Sequence, residues 1–374
     1  MLVTTAALSL LAYGLVGYPA LLALTSASAL RSRPNPRSEA KAGRPGDQPR
    51  VDVVVCACNE ARVIGDRLVN LAALDSASAS LQLHVLVDGS TDGTAEAARR
   101  TAAEIELPVT VFEHPERRGK AAAVESLRGQ THGDFVLFTD ANALFSTDLL
   151  RTLLPHFEDA TVGSVTGARD VVPTGRLGRW ARRYEDLLLQ LESRAGSASG
   201  AAGEILMMRR GLWGSLSPHE TNEDFALAMA VVRQGHRHIF SPRARASEVA
   251  EVSDLHGLKR RARIHAGRLR ALTRLESWQG LGPAMGWRIL SHKGIRLFYP
   301  LAGVAIALDP VGPSLLRLFT GLGLVCMGVA GSLGWPRPLA TAAQWFFGGL
   351  VGLVWGALPG KIPWSREPRQ PSAS

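Results

Sequence analysis

Hydrophobic positions along this chain fall into three patterns, each predicting a different kind of element. Residues 1–30, 318–336 and 338–360 contain no Asp, Glu, Lys or Arg. Runs of about 20 mostly apolar residues are what a bilayer-spanning helix needs, so spans are expected at Leu2–Leu24, Leu318–Pro336 and Pro338–Gly360. Between them lie short unbroken runs of β-prone residues: Val51–Cys58, Leu83–Val87, Val109–Phe112 and Phe135–Thr139. Without alternation, such runs predict strands covered on both faces, as in a parallel α/β sheet. Segments with apolar residues at helical spacing separate them: Val63–Leu74 (Ile64, Leu68, Leu71), Ala95–Ala103 and Ala121–Leu127. This alternation predicts a doubly wound α/β sheet.

Polar residues gather where the runs stop. Phe135–Thr139 ends in Asp140-Ala141-Asn142, Val51–Cys58 in Asn59-Glu60, and Leu83–Val87 in Asp88-Gly89-Ser90-Thr91-Asp92-Gly93-Thr94. In parallel sheets the ligand site lies beyond the carboxyl ends of the strands. Asp140 and Asn142 place two oxygen donors on one turn, suited to a hard divalent cation holding phosphate oxygens; the alternative is that either residue caps a following helix. Three carboxylates at one edge repel unless a cation or ligand donors separate them. Neither Gly-x-Gly-x-x-Gly nor Gly-x-x-x-x-Gly-Lys-Ser/Thr occurs, so dinucleotide and P-loop readings lose support.

Charge sets the expected topology. The formal net charge is +9, and no nucleic-acid motif accompanies it, so anionic lipid and an anionic substrate are the expected partners. Basic residues Arg31, Arg33, Arg37, Lys41, Arg44 and Arg50 follow the first apolar run. By the positive-inside rule the amino terminus points out and the next segment is cytoplasmic. Ser26-Ala27-Ser28-Ala29 resembles a signal-peptidase site, but no basic stretch precedes the run, which predicts an uncleaved anchor. Leu297–Leu316 is also of span length but contains Asp309 and three prolines; counting it gives three carboxyl-terminal spans and four in all. Leu255–Leu275 is basic and amphipathic, an expected interfacial helix from which Arg260 or Arg263 could reach a diphosphate. Of three cysteines, Cys56 and Cys58 read as small buried residues, and Cys326 lies in an apolar run.

In order along the chain, Cys58-Asn59-Glu60, Val87–Thr94, Gly119-Lys120-Ala121-Ala122, Thr139–Asn142 and Asn222-Glu223-Asp224-Phe225 resemble the signatures of family 2 glycosyltransferases. Ser193–Arg210 and Ser291-His292-Lys293 extend the likeness, which covers Arg50 to about His292. The resemblance implies a GT-A fold with a mostly parallel central sheet and inverting transfer from a nucleotide-sugar donor. It implies that Asn59, Glu60 and Asp88 lie at the nucleoside and that Lys120 and Arg263 lie at the nucleotide or its phosphates. Asp140, with Asn142, would hold a divalent metal, Mg or Mn; Asp224 would be the general base and Glu223 would support its loop. Helix capping before Phe225–Val232 is the competing reading of Asn222–Asp224.

Two departures qualify the likeness. Position 142 is Asn where the family often has Asp, and Lys259–His265 keeps arginines but lacks the tryptophan of the family's Gln-x-x-Arg-Trp motif. The expected organisation is an anchor at 1–30, a Pro/Gly-rich basic linker at 31–50, a cytosolic GT-A domain at 51–292 whose interfacial region is 255–292, membrane helices at 293–360 and a polar tail at 361–374. The expected activity is transfer, from a uridine-linked donor, to a lipid-linked or polysaccharide acceptor at the cell membrane, alongside other envelope-biosynthesis proteins. The alternatives are a processive polysaccharide synthase subunit and a catalytically silent nucleotide-sugar-binding scaffold.

Overall fold

The computed structural model describes residues 2–31, 48–75, 78–172, 176–249, 254–314, 316–318, 320–322 and 337–358. These divide into two compact units. Residues 48–172 and 196–249 form one; residues 2–30, 176–195 and the described residues from 254 onward form the other.

The first unit is built on a single sheet of eight strands among the described residues: β1 (Arg50–Ala57), β2 (Ser80–Asp88), β3 (Val109–His114), β4 (Phe135–Asp140), β5 (Ala143–Phe145), β6 (Val162–Val172), β7 (Leu206–Arg209) and β8 (Arg237–Val249). Their order is β3-β2-β1-β4-β7-β6-β8-β5. The first four run parallel, as the unalternating apolar runs predict. β7 is antiparallel to both β4 and β6, β8 runs parallel to β6, and β5 closes the edge antiparallel to β8.

Burial on both faces explains the runs. Val53 and Val55 of β1 pack with Leu68 and Leu83 in one apolar cluster, while Val54 joins Leu86, Val124 and Phe138 in the other. Each fully buried aliphatic side chain contributes about 1.5–3 kcal/mol. The expected helices form at Ile64–Ala72, Thr94–Glu104 and Lys120–Leu127. The chain winds outward from β1 to β3 and then returns to β4 on the other side of β1, pairing Cys56 with Asp140. Such a reversal opens a crevice at the carboxyl ends of the two strands. Thus the topology puts Glu60, Asp88 and Asp140 at one edge.

In the second unit, one helix among the described residues, Leu2–Ser26, is long and apolar enough to cross a bilayer. Its turn widens at Tyr13–Gly17, and Gly14 lets Tyr299 approach: a β-carbon there would lie 2.0 Å from the Tyr299 hydroxyl. Leu297–Leu316, expected to be a span, is helical over only the ten residues Tyr299–Leu308. Ten residues rise about 15 Å, half the hydrocarbon thickness. Asp309 stops the helix: its carboxylate accepts the Thr4 N–H at 3.0 Å, the Thr4 hydroxyl at 2.5 Å and the Val311 N–H at 3.0 Å. Most of the span expected at Leu318–Pro336, with Cys326, lies outside the described residues, as do the linker from 32 to 47 and the tail after 358.

Pro338–Gly360 forms the helix Arg337–Ala357, which packs along Asp254–Thr273. Gly348, Gly352 and Gly356 form the seam. A β-carbon at Gly352 would sit 2.5 Å from the Ala262 carbonyl oxygen, so only glycine allows this spacing. The basic helix therefore presents its small residues, Ala262 and Ala266, to another helix. A helix that the amino-acid patterning did not single out, Arg176–Arg194, also belongs to this unit. Its Glu192 accepts hydrogen bonds from the Tyr18 hydroxyl and the His292 ring, and Glu185 faces His292, Lys293 and Arg296. The expected 51–292 domain is thus divided, with 176–195 and 254–292 grouped with the terminal helices.

Candidate active site

One side of the crevice is set by glycines. Gly89 follows β2 with φ +61°, and a β-carbon there would lie 2.4 Å from the Arg117 backbone nitrogen. Only glycine lets the Arg117–Gly119 loop cross so close. The loop turns again at Gly119, φ +94°, and aims two backbone donors at one carboxylate. Asp88 Oδ1 accepts the Arg118 N–H at 2.9 Å, and Oδ2 accepts the Gly119 N–H at 2.8 Å. Asp88 is thereby locked in place and only 4% exposed. Asn59, in the left-handed region at φ +54°, ties the adjoining loops: its N–H donates to the Ser90 hydroxyl and its amide oxygen accepts the Thr91 N–H. Glu60 is buried beside it, its N–H donating to the Thr94 hydroxyl.

The other side is crowded with charge. Lys120, at the first turn of its helix, places Nζ 2.6 Å from Asp140 Oδ1 and 2.6 Å from Glu223 Oε1. Burial works against its charge, but the two carboxylates outweigh that and hold the ammonium well above its usual range. Glu223 and Asp224 open the helix Glu223–Arg233. Burial, followed by the neighbouring charge of Glu223, pushes the Asp224 carboxyl up to about 7, against the pull of Lys120. Gly203 keeps the space between them open: a β-carbon there would stand 3.4 Å from Lys120 Nζ and 3.8 Å from Asp224 Oδ2. Lys120, Gly203, Glu223 and Asp224 line a pocket together with Cys56, Phe138 and Thr139. The Cys56 thiol is pushed up to about 12 by burial, so it is a lining residue and no nucleophile. A carboxyl poised near neutrality at a cleft wall is suited to take a proton at physiological pH.

Lys120, Glu223 and Asp224, far apart in sequence, therefore share one pocket; Asp140 meets them through Lys120, and Asp88, at the end of β2, is tied to the loop that precedes Lys120. The capping reading of Asp140 and Asn142 fails because a strand, β5, follows them. The side chain of Asn142 has a partner of its own. β5 pairs with β8, and the Asn142 amide N–H donates to Glu248 at 2.9 Å. Asn222 caps its helix with no side-chain hydrogen bond, and Asp224 accepts the N–H of the next residue, Phe225, at 2.7 Å within that turn. Arg263 belongs to the other compact unit, on Asp254–Thr273.

Sequence reading missed three supports. Arg67 is fully buried under the end of β4, its guanidinium donating to Thr139 Oγ1 at 2.7 Å and to Asn70 at 2.6 Å and lying over the Phe145 ring. Burial lowers it to about 9. Its signal was present: an arginine three residues after Ile64, on the apolar face of its helix. Arg169 of β6 pairs with Glu204 at 2.6 Å and lies 3.8 Å from Glu248. No local pattern marks those residues, because strand pairing alone brings them together.

With this geometry in view, the family model described as glycosyltransferase like family 2 matches residues 49–266, more than half of the chain. The chain belongs to that family. The enzyme is a glycosyltransferase with a GT-A fold. It is 25% identical over 316 residues to an N-acetylglucosaminyltransferase of Mesorhizobium japonicum, covering 79% of this chain and 70% of that protein. It is 26% identical over 240 residues to an N-acetylglucosaminyltransferase of Rhizobium leguminosarum bv. viciae, spanning 59% of this chain and only 55% of that relative. Among solved structures it is similar to the mannosyltransferase PcManGT from Pyrobaculum calidifontis, determined in complex with GDP-Man and Mn2+. The TM-score is 0.70 at 25% identity, covering 95% of this chain and all of that one.

Proposed function

We propose that this glycosyltransferase moves a sugar with inversion from a nucleoside-diphosphate donor to an acceptor hydroxyl, with Asp224 as the general base. The observation that carries this reading is the Asp224 carboxyl, pushed up to about 7 in the pocket it shares with Lys120, whose ammonium in turn contacts Asp140. Inverting transfer needs in-line attack on the anomeric carbon, and a carboxylate that takes the hydroxyl proton as the bond forms contributes about 10²–10⁴-fold. Asp88 and Glu60, at the ends of β2 and β1, are assigned to the nucleoside, with Asn59 shaping their loops. Lys120 faces the diphosphate, and Glu223 braces Lys120 beside the base.

A divalent cation, Mg or Mn, is part of the proposal. Asp140 presents a carboxylate with 20% of its side chain exposed at the strand end, which fits a cation held by one or two carboxylates plus substrate phosphates. The comparable mannosyltransferase was solved with Mn2+. When bound, the cation neutralises charge developing on the leaving diphosphate. Asn142 is the proposed second ligand through its amide oxygen, its N–H being directed to Glu248.

The N-acetylglucosaminyltransferase relatives favour a uridine-linked amino sugar, while the GDP-Man complex supports a guanosine-linked second reading. The acceptor is proposed to be a lipid-linked sugar or polysaccharide, with Leu2–Ser26 anchoring the catalytic unit on the cytoplasmic face of a cell membrane. Incubating purified protein with a panel of UDP- and GDP-sugars and measuring nucleotide release tests this. Release from one donor class, lost in EDTA and restored by Mg2+ or Mn2+, is expected; full activity in chelator removes the metal. A reporter at the amino terminus is expected outside and one near Gly46 inside. One fused at Ser374 asks whether the chain crosses the membrane again.

A further inference from the structure

We infer that Lys120 is a built-in counter-cation that makes divalent-metal binding at Asp140 conditional on the donor's diphosphate. The inference rests on the proposed metal role of Asp140. A single ammonium sits 2.6 Å from an oxygen of Asp140 and 2.6 Å from an oxygen of Glu223, at the place where a divalent ion would meet the Asp140 carboxylate. The two cations compete for the same oxygen and repel each other at short range, where Coulomb energies are large. Among the described residues no group of three or more His, Cys, Asp or Glu side chains is arranged to hold a metal, so protein ligands alone do not outbid the lysine.

A diphosphate changes the balance. It brings negative oxygens that both cations could use, so Lys120 could turn from Asp140 toward phosphate and leave the Asp140 carboxylate to hold the metal. Gly203 leaves room for the swing, since a side chain there would begin 3.4 Å from Lys120 Nζ and 3.8 Å from Asp224 Oδ2. Meanwhile the Glu223 contact keeps the lysine tethered to the first turn of the base helix. Donor binding and the position of the Asp224 helix are thereby linked through one side chain. Lys120 acts as a positioning residue, and an unloaded enzyme keeps its metal site closed.

Mn2+ binding to the full-length chain, followed by electron paramagnetic resonance of free Mn2+, tests this without any turnover. Wild type is expected to bind Mn2+ weakly alone and tightly with UDP or GDP. Lys120→Met should bind Mn2+ at least about tenfold more tightly than wild type without nucleotide, a change of about 1.4 kcal/mol. Adding Asp140→Asn should erase that gain; persistence of the gain would place the ion elsewhere and overturn the inference. Unchanged or weaker nucleotide-free binding by Lys120→Met overturns it, as does tight nucleotide-free binding by wild type. Should Lys120→Met fail to fold, Lys120→Gln serves with the same expectations. Absence of Mn2+ uptake by wild type even with UDP or GDP removes the metal reading itself, and this inference with it.

Discussion

Asp88 and Asp224 carry the same side chain in the same compact unit, yet their surroundings are opposite. Asp88 is held by two backbone N–H groups that a pair of positive-φ glycines aims at it. Backbone donors keep their place when solvent or ligand changes, which makes this carboxylate a fixed acceptor. Asp224 accepts the N–H of its own neighbour and stands beside another carboxylate. Burial first, and then the charge of Glu223, raise its carboxyl to about 7. The lesson is that surroundings, rather than residue type, sort carboxylates into holders and proton carriers.

The contrast is broken or sharpened by measurements that differ in size. The largest effect is expected from Asp224→Asn, which removes basicity while keeping shape. Turnover should fall by about two to four orders of magnitude with donor affinity kept within a few-fold. An Asp224→Asn enzyme that turns over near the wild-type rate would end the base assignment. If Asp224 were merely a helix-end residue, a loss of about 0.5–2 kcal/mol in stability with turnover kept would be seen instead.

Asp88→Asn should show the reverse profile. One of the two loop N–H groups then faces an amide donor, and hydrogen bonds to charged groups are worth about 1.5–3 kcal/mol. Donor affinity should drop roughly tenfold to a hundredfold and the melting temperature should fall, with turnover at saturating donor changed less. Equal losses in Asp88→Asn and Asp224→Asn turnover would erase the distinction between holder and base.

The pH dependence should report Asp224. With the base protonated, the rate should fall about tenfold per pH unit below about 7, and Asp224→Asn should flatten that limb. Stability should move the other way. Between the ordinary carboxylate range and about pH 7 the folded state keeps a proton that the unfolded chain has lost, so this group's contribution makes folding less favourable as pH rises through that window. A wild-type acid limb unchanged in Asp224→Asn would assign the titration elsewhere.

The smallest effect belongs to Glu223→Gln. Glu223's charge helps raise Asp224, so its removal should shift the acid limb of the rate profile to lower pH, with a turnover change of only about a few-fold. An unmoved limb would show that burial alone sets the Asp224 carboxyl.

Local patterning by itself determined the parallel half of the sheet. Val51–Cys58, Leu83–Val87, Val109–Phe112 and Phe135–Thr139 each lie within or almost within an observed strand, because a doubly covered strand must be apolar at every position. Gly89 and Gly93 were legible too, since tight turns after a strand need glycine, and both have positive φ. Only the tertiary structure decided the rest. β5 to β8 are short or irregular and form a mixed half whose pairing is non-local, so no single stretch announces Arg169 beside Glu204. The pairing of β5 with β8 turned Asn142 toward Glu248, which its spacing from Asp140 could not reveal. Lys120 read equally well as a solvated lysine until the fold brought Asp140 and Glu223 to it from 20 and 103 residues away. Sequence fixes which residues must be buried or must turn; which charges meet depends on chain crossings that bury them together.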